Sequence, residues 1–336
     1  MADMKEAMFY ERLEGGDVRC NLCNHNCRIH PGRRGICGVR ENIDGALYSL
    51  VYGKIVAEHV DPVEKKPLFH FQPGSRSYSI ATVGCNFRCR HCQNADISQM
   101  PVDRGMIIGS ERTPDDIVAE ALEAGVQSIS YTYTEPTIFF EFALDTAVKA
   151  KEFGLKNNFV SNGYMSEEAA RTIAPYLDAI NIDLKGDDEF YKKICSARVE
   201  PVKRNIELFP KLGVWTEVTT LVIPGYNDSD EQLREVAEFL AGVSVDIPWH
   251  VSAFHPTYRL RDAPPTSAAT IRRAIGIGRD AGIRYIYAGN IPGEGENTHC
   301  HNCGELLIER FAYRVTLNSI VDGRCPRCRT QIPGVW

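Results

Sequence analysis

Long apolar runs are missing from this sequence. No stretch approaches the roughly 20 residues needed to cross a bilayer, so a membrane-spanning helix is excluded. The segment Met1 to Gly16 is polar and charged and lacks the apolar core of a secretory signal. An excess of positive charge is missing as well. Against 38 Lys and Arg stand 44 Asp and Glu, a net charge of −6, which argues against a broad nucleic-acid footprint. These absences predict a cytoplasmic protein with neither membrane nor nucleic-acid partners. What remains is 43% hydrophobic and 24% charged over 336 residues, the composition of an ordinary globular chain. It is long enough for one large α/β domain plus small modules.

Cysteine, by contrast, is plentiful. Of twelve cysteines, eleven fall into three groups and Cys195 stands alone. Grouped cysteines in a cytosolic chain point to metals rather than disulfides, and Cys195 reads as a small buried apolar residue. The central group has its own absence: it lacks a fourth member. Cys85, Cys89 and Cys92 lie in Gly84-Cys85-Asn86-Phe87-Arg88-Cys89-Arg90-His91-Cys92, directly after the apolar stretch Ser79 to Val83. This predicts a strand followed by a tight loop. Three thiolates can hold three irons of a cubane 4Fe–4S cluster, which usually takes four cysteines. One iron would stay open to an outside ligand. A structural zinc loop is the alternative.

The first group, Cys20, Cys23, Cys27 and Cys37, lies in an N-terminal module over 1–74. Four soft ligands suit zinc or an iron–sulfur cluster equally; His25 or His30 could replace one thiolate. A four-cysteine site is expected, holding a second metal or an auxiliary cluster. The third group, Cys300-x2-Cys303 and Cys325-x2-Cys328 in the module 297–336, reads as a rubredoxin-like zinc ribbon around a hairpin over 306–315. Mononuclear iron is the alternative there.

Between them, the core 75–296 alternates short apolar strands with helical patterns. Strands are predicted over 78–83, 128–133, 157–161, 179–184, 215–222, 249–254 and 285–288. Helix starts are marked by Thr113-Pro114, Ser166-Glu167 and the capping-box spacing Ser229 to Gln232. Further helices are expected over 137–153 and 267–281. Repeated strand–helix units predict a parallel sheet and an incomplete barrel, a partial (β/α)6, with active residues at the C-terminal strand ends. Asn181, Asp183 and Lys185 share one strand face by alternation, as do Tyr131, Tyr133 and Glu135 if that strand continues. A polar inner face suggests a lined reaction cavity. A small hairpin is expected over 46–56, and the charges Asp61, Lys65 and Lys66 are expected on a solvated surface.

The C-x3-C-x2-C spacing resembles the signature of radical S-adenosylmethionine (SAM) enzymes. The resemblance implies that SAM chelates the open iron, and that an electron from the cluster releases a 5′-deoxyadenosyl radical that abstracts hydrogen from substrate. His91 stands where the family has an aromatic residue. The core is similar to the pyruvate formate-lyase activating enzymes. Tyr133-Thr134-Glu135-Pro136 occupies the place of their Gly-Gly-Glu-Pro, which implies SAM contacts from Thr134 and Glu135. Ser161-Asn162-Gly163 resembles their Thr-Asn-Gly, and Asp183-Leu184-Lys185 their Asp-Leu-Lys. His255 resembles a histidine close to SAM and substrate; His255 and Lys185 are the catalytic candidates. Over nearly its whole length the chain resembles the radical SAM component of the AmmeMemoRadiSam system. The stretches that carry this are 35–42, 59–71, 79–87, 131–137 and 332–336. That resemblance implies Memo-like and Ammecr-like partners, a one-electron reductant and a protein or peptide substrate. A glycyl-radical activating enzyme and a metal-binding scaffold are the other readings.

Overall fold

Seven parallel strands run through the chain in strict sequential order. The computed structural model describes residues 4–291 and 293–336. An antiparallel edge strand β1 (Ala57–Pro62) precedes β2 (Arg76–Ala81), β3 (Ser128–Tyr131), β4 (Lys156–Ser161) and β5 (Ala179–Asp183). The sheet continues with β6 (Trp215–Val222), β7 (Trp249–Ala253) and β8 (Ile286–Gly289), each paired to the strand before it. Parallel crossovers are right-handed almost without exception, so a monotonic order puts every connecting helix on one face. Those helices are α1 (Pro114–Glu123), α2 (Phe140–Glu152), α3 (Glu167–Ile173), α4 (Glu200–Lys211), α5 (Asp230–Val243) and α6 (Ala268–Asp280). The outer strand residues Phe159, Ile180, Ile182, Val218, Val251 and Trp249 are fully buried in the core. No helix among the described residues is long and apolar enough to cross a membrane.

The helix starts follow from local chemistry. Thr113 accepts from the Asp116 backbone N–H at 3.2 Å while the Asp116 carboxylate accepts from the Thr113 N–H at 2.8 Å. Ser229 and Gln232 form the same box, and Ser166 and Ser267 cap α3 and α6. Helix α4 has no start or stop named from sequence, and it holds two prolines. Pro201 sits in the first turn, where its missing N–H costs nothing, and Pro210 in the last. The hairpin expected over 46–56 forms earlier in the chain. Arg40–Ile43 pairs with Ala46–Ser49 across Asp44-Gly45, both at positive φ, the turn geometry tight hairpins favour. Lys54–Ile55 pairs instead with Ser110–Glu111.

The inner face of the sheet is polar, as alternation implies, but its lower half is filled. The segment after β1 runs across it. Asn181 donates to the Pro67 carbonyl at 2.8 Å, and the Glu217 carboxylate accepts from the Phe69 and His70 N–H groups at 2.9 and 2.7 Å. His250 meets Glu217 at 2.6 Å. These bonds satisfy groups that burial would otherwise penalise. What stays near the cysteine loop is the upper rim, at the C-terminal strand ends. The charges expected on a solvated surface are mostly inside: Asp61 and Lys66 are buried and paired at 2.6 Å, and Lys65 alone is substantially exposed. Strand β3 stops at Tyr131, whose hydroxyl donates to Asn157 on the helix side, so Tyr131 does not share a face with Tyr133 and Glu135. At the C-terminal end, Thr298–His299, Leu306–Phe311 and Arg314–Asn318 form a three-stranded antiparallel sheet. Its Leu307 and Ile308 pack with Phe69, Tyr285 and Tyr287 of the core.

Candidate cofactor site

The cysteine loop leaves the C-terminal end of β2. Gly84 opens it at φ 109°, and a Cβ there would stand 2.7 Å from Val39 Cγ1. Only glycine makes that turn against that neighbour. Cys85, Cys89 and Cys92 are free thiols, buried or half-buried. Two of the sulfurs have a hydrogen-bonding neighbour: the Phe87 N–H donates to Cys85 Sγ at 3.3 Å, and Ser98 Oγ lies 3.2 Å from Cys92 Sγ; Cys89 Sγ has the Cys195 sulfur within 4.8 Å. The Asn162 amide reaches Asn86 Oδ1 at 2.7 Å and Cys85 Sγ at 3.9 Å. Such donors are what iron-bound thiolates accept, and they tune a cluster's potential. Burial and the Glu135 carboxylate push the Cys85 thiol well above its usual range. Contact with Cys195, together with burial, does the same to Cys89. Metal loading must therefore release protons. The three residues fit a cluster held by three thiolates.

Around this loop the structure gathers several of the predicted residues. Glu135 is 2% exposed and fully engaged. Its carboxylate accepts from Thr137 N, Thr137 Oγ1, Ser161 Oγ and Asn162 N at 3.0, 2.5, 2.8 and 2.7 Å. It braces the ends of β3 and β4. Burial raises its pKa against these four donors. Thr134 Oγ1 donates to the Thr82 carbonyl at 2.9 Å. Tyr133, in the place of a family glycine, adopts φ 60°, the left-handed region that favours glycine. Its hydroxyl bonds Asp61, and the Lys66 ammonium lies 4.5 Å from its ring centre. Asp183 and Lys185 pair at 2.5 Å on the inner rim. Despite burial, Asp183 and the neighbouring Cys89 and Cys195 hold Lys185 well above its usual range.

His91 is buried, with Nδ1 lacking a partner; burial and Lys185 push it down to about 3. Cys195, read from sequence as a small buried apolar residue, is fully buried but lies beside the cysteine loop. It closes a π-helical turn, Tyr191–Cys195, and its sulfur, Cys89 Sγ and a His91 ring nitrogen all lie within 4.8 Å of one another. Nothing in its sequence position signals this, since more than 100 residues separate Cys195 from Cys89. His255 is exposed on the loop after β7. The nearby Arg259 N–H donates to the Arg90 carbonyl of the cysteine loop at 3.0 Å, so this loop borders the site without bringing His255 into it.

The two outer groups differ in spacing. At the C-terminal end Cys300 and Cys328 sulfurs are 3.6 Å apart, Cys303 and Cys325 3.7 Å, and all four lie within 4.8 Å of one another. A tetrahedral ion with ~2.3 Å metal–sulfur bonds has sulfurs about 3.8 Å apart, so this quartet fits one zinc or one iron. Cys20, Cys23, Cys27 and Cys37 line one cavity together with His25. His30 instead turns to Asp17 at 2.7 Å and does not reach them.

The family profile described as the Radical SAM superfamily matches residues 79–240, from β2 through most of α5. The chain is 47% identical over 328 residues to a Methanocaldococcus jannaschii protein named "Uncharacterized protein MJ0808", covering 97% of each. It is 23% identical over 208 residues to the pyruvate formate-lyase-activating enzyme of Clostridium pasteurianum, spanning 56% of this chain and 84% of that one. Among solved structures it resembles Streptococcus suis SuiB bound to precursor peptide SuiA. The TM-score is 0.51 at 17% identity over 69% of this chain and 52% of that one, a likeness of fold. The chain therefore carries a radical SAM domain and belongs to one family with the MJ0808 protein, with pyruvate formate-lyase-activating enzymes among its relatives.

Proposed function

We propose that this radical SAM enzyme modifies a protein or peptide, as the radical SAM component of an AmmeMemoRadiSam system with Memo-like and Ammecr-like partners. The observation that carries it is the loop of three free cysteines at the C-terminal end of β2, bordered by the rim of Glu135, Asn162, Asp183 and Lys185. When bound there, a 4Fe–4S cluster with SAM supplies a 5′-deoxyadenosyl radical, using an electron from a one-electron reductant.

The chain's own residues do the positioning. Glu135 fixes the turns after β3 and β4, where Thr134 and Asn162 would border SAM bound at the cysteine loop. The Asp183–Lys185 pair would hold the charged amino-acid part of SAM if it bound at the cysteine loop. His91 packs under the loop, with its orphaned Nδ1 available as an acceptor. Lys185 and His255, on the loop that borders the site, are the candidates for handling a substrate proton. The C-terminal quartet takes one zinc ion that folds the small sheet. A cytoplasmic location follows from the need for reduced thiols.

Anaerobically reconstituted chain, with SAM and dithionite, is incubated with Memo-like and Ammecr-like proteins and their intact masses are compared. A stable mass change in one of them is expected; unchanged masses overturn this substrate assignment. The likeness to the Clostridium pasteurianum activating enzyme favours a second reading, a glycyl-radical activase. That enzyme would leave a persistent glycyl radical signal in its partner.

A further inference from the structure

The four N-terminal cysteines build a site of a different size from the C-terminal quartet. Cys20, Cys23, Cys27 and Cys37 wall a small cavity of about 20 Å³, closed on one side by Ile138 of the radical SAM core. Among the described residues, the sets of three or more ligand atoms that close to within 4.8 Å are the C-terminal quartet and Cys89–His91–Cys195; the N-terminal four are not drawn that close. Four sulfurs on a single tetrahedral ion stand only about 3.8 Å apart. A cubane gives each thiolate its own iron and so holds the four farther apart around an inorganic core.

The lining chemistry suits such a core. Arg40 is 1% exposed, faces the cavity, and its Nη1 lies 3.5 Å from Cys20 Sγ. Its Nη2 serves Glu141 and the Met8 carbonyl, but Nε has no partner among the described residues. A buried guanidinium N–H without an acceptor is costly, and an anionic iron–sulfur core would supply one.

We propose that Cys20, Cys23, Cys27 and Cys37 hold a second, fully cysteine-ligated 4Fe–4S cluster rather than a zinc ion. Its site shares a wall with the SAM loop. A Cβ at Gly84, next to Cys85, would stand 3.3 Å from the Cys37 carbonyl oxygen. The ring of His25, which lines the cavity, bonds the Asn86 carbonyl through Nε2 at 2.8 Å, and Arg88 bonds the Ile36 carbonyl.

The test uses full-length chain carrying Cys85→Ala, Cys89→Ala and Cys92→Ala together, reconstituted anaerobically with iron and sulfide. Iron, sulfide and zinc are counted, and the dithionite-reduced EPR spectrum is taken with and without SAM. About four iron and four sulfide per chain are expected to remain, with a reduced-cluster signal that SAM does not move. Adding Cys20→Ser and Cys37→Ser should remove them. Two zinc ions per chain with no sulfide would overturn the proposal. The radical SAM reading fails separately: that outcome is a wild-type chain holding no more iron than the triple variant.

Discussion

Tyr133 stores strain at the rim of the cofactor site. A side chain at φ 60° costs about 1–2 kcal/mol, and such strain persists only where the surroundings hold it. Here Asp61 bonds the Tyr133 hydroxyl, and Lys66 sits against the ring and pairs with Asp61. Burial lowers Lys66 to about 8 against the pull of Asp61. Asp61→Ala would leave that ammonium buried and unpaired. We expect a loss of roughly 3–5 kcal/mol in urea unfolding, partly recovered when Lys66→Met is added. Cys195 gives a second prediction at this scale. Its sulfur lies within 4.8 Å of Cys89 Sγ but outside the loop that carries Cys85, Cys89 and Cys92, so we expect a neighbour of a ligand rather than a ligand. Cys195→Ala should keep the wild-type iron content and SAM-dependent cleavage. Loss of iron would instead make it the fourth ligand and close the open position.

Strands β3 and β4 are joined at their upper ends by one carboxylate. Glu135 takes four hydrogen bonds from Thr137, Ser161 and Asn162. Glu135→Gln keeps the shape but replaces an acceptor oxygen with an N–H donor, which turns one bond into a donor–donor clash. SAM affinity, measured by equilibrium dialysis, should fall about tenfold, the equivalent of a lost buried hydrogen bond, while iron content holds. The strands themselves were legible, because each is a short apolar run bounded by turn residues, and the Thr113, Ser166 and Ser229 caps marked their helices. The polar inner face was also legible from alternation at Asn181 and Asp183. What alternation could not convey is the partner. Pro67, Phe69 and His70 fill the lower half of that face through backbone groups, which carry no sequence signal. Cys195 stayed hidden for a related reason: a π-helical turn, not a motif, delivers it to Cys89.

Across the whole molecule, one histidine ties three parts of the chain together. His70 Nδ1 donates to the Pro333 carbonyl at 2.7 Å, and Nε2 accepts from the Tyr287 hydroxyl at 2.6 Å. Connector, last core strand and C-terminal segment meet there. Burial pushes His70 down to about 4. The unfolded chain binds that proton near pH 6.5, so the native state loses ground as pH falls from about 6.5 to about 4 and is at full strength above it. The contribution is on the order of 3 kcal/mol. Thermal unfolding midpoints should drop across that window, and His70→Asn should flatten the drop. The account as a whole turns on the iron that the loop of Cys85, Cys89 and Cys92 leaves open to SAM. The most direct measurement is 5′-deoxyadenosine, by chromatography, from anaerobically reconstituted chain with SAM and dithionite. It should accumulate with wild type and be absent with the Cys85→Ala, Cys89→Ala, Cys92→Ala chain; equal amounts from both, or none from either, would contradict it.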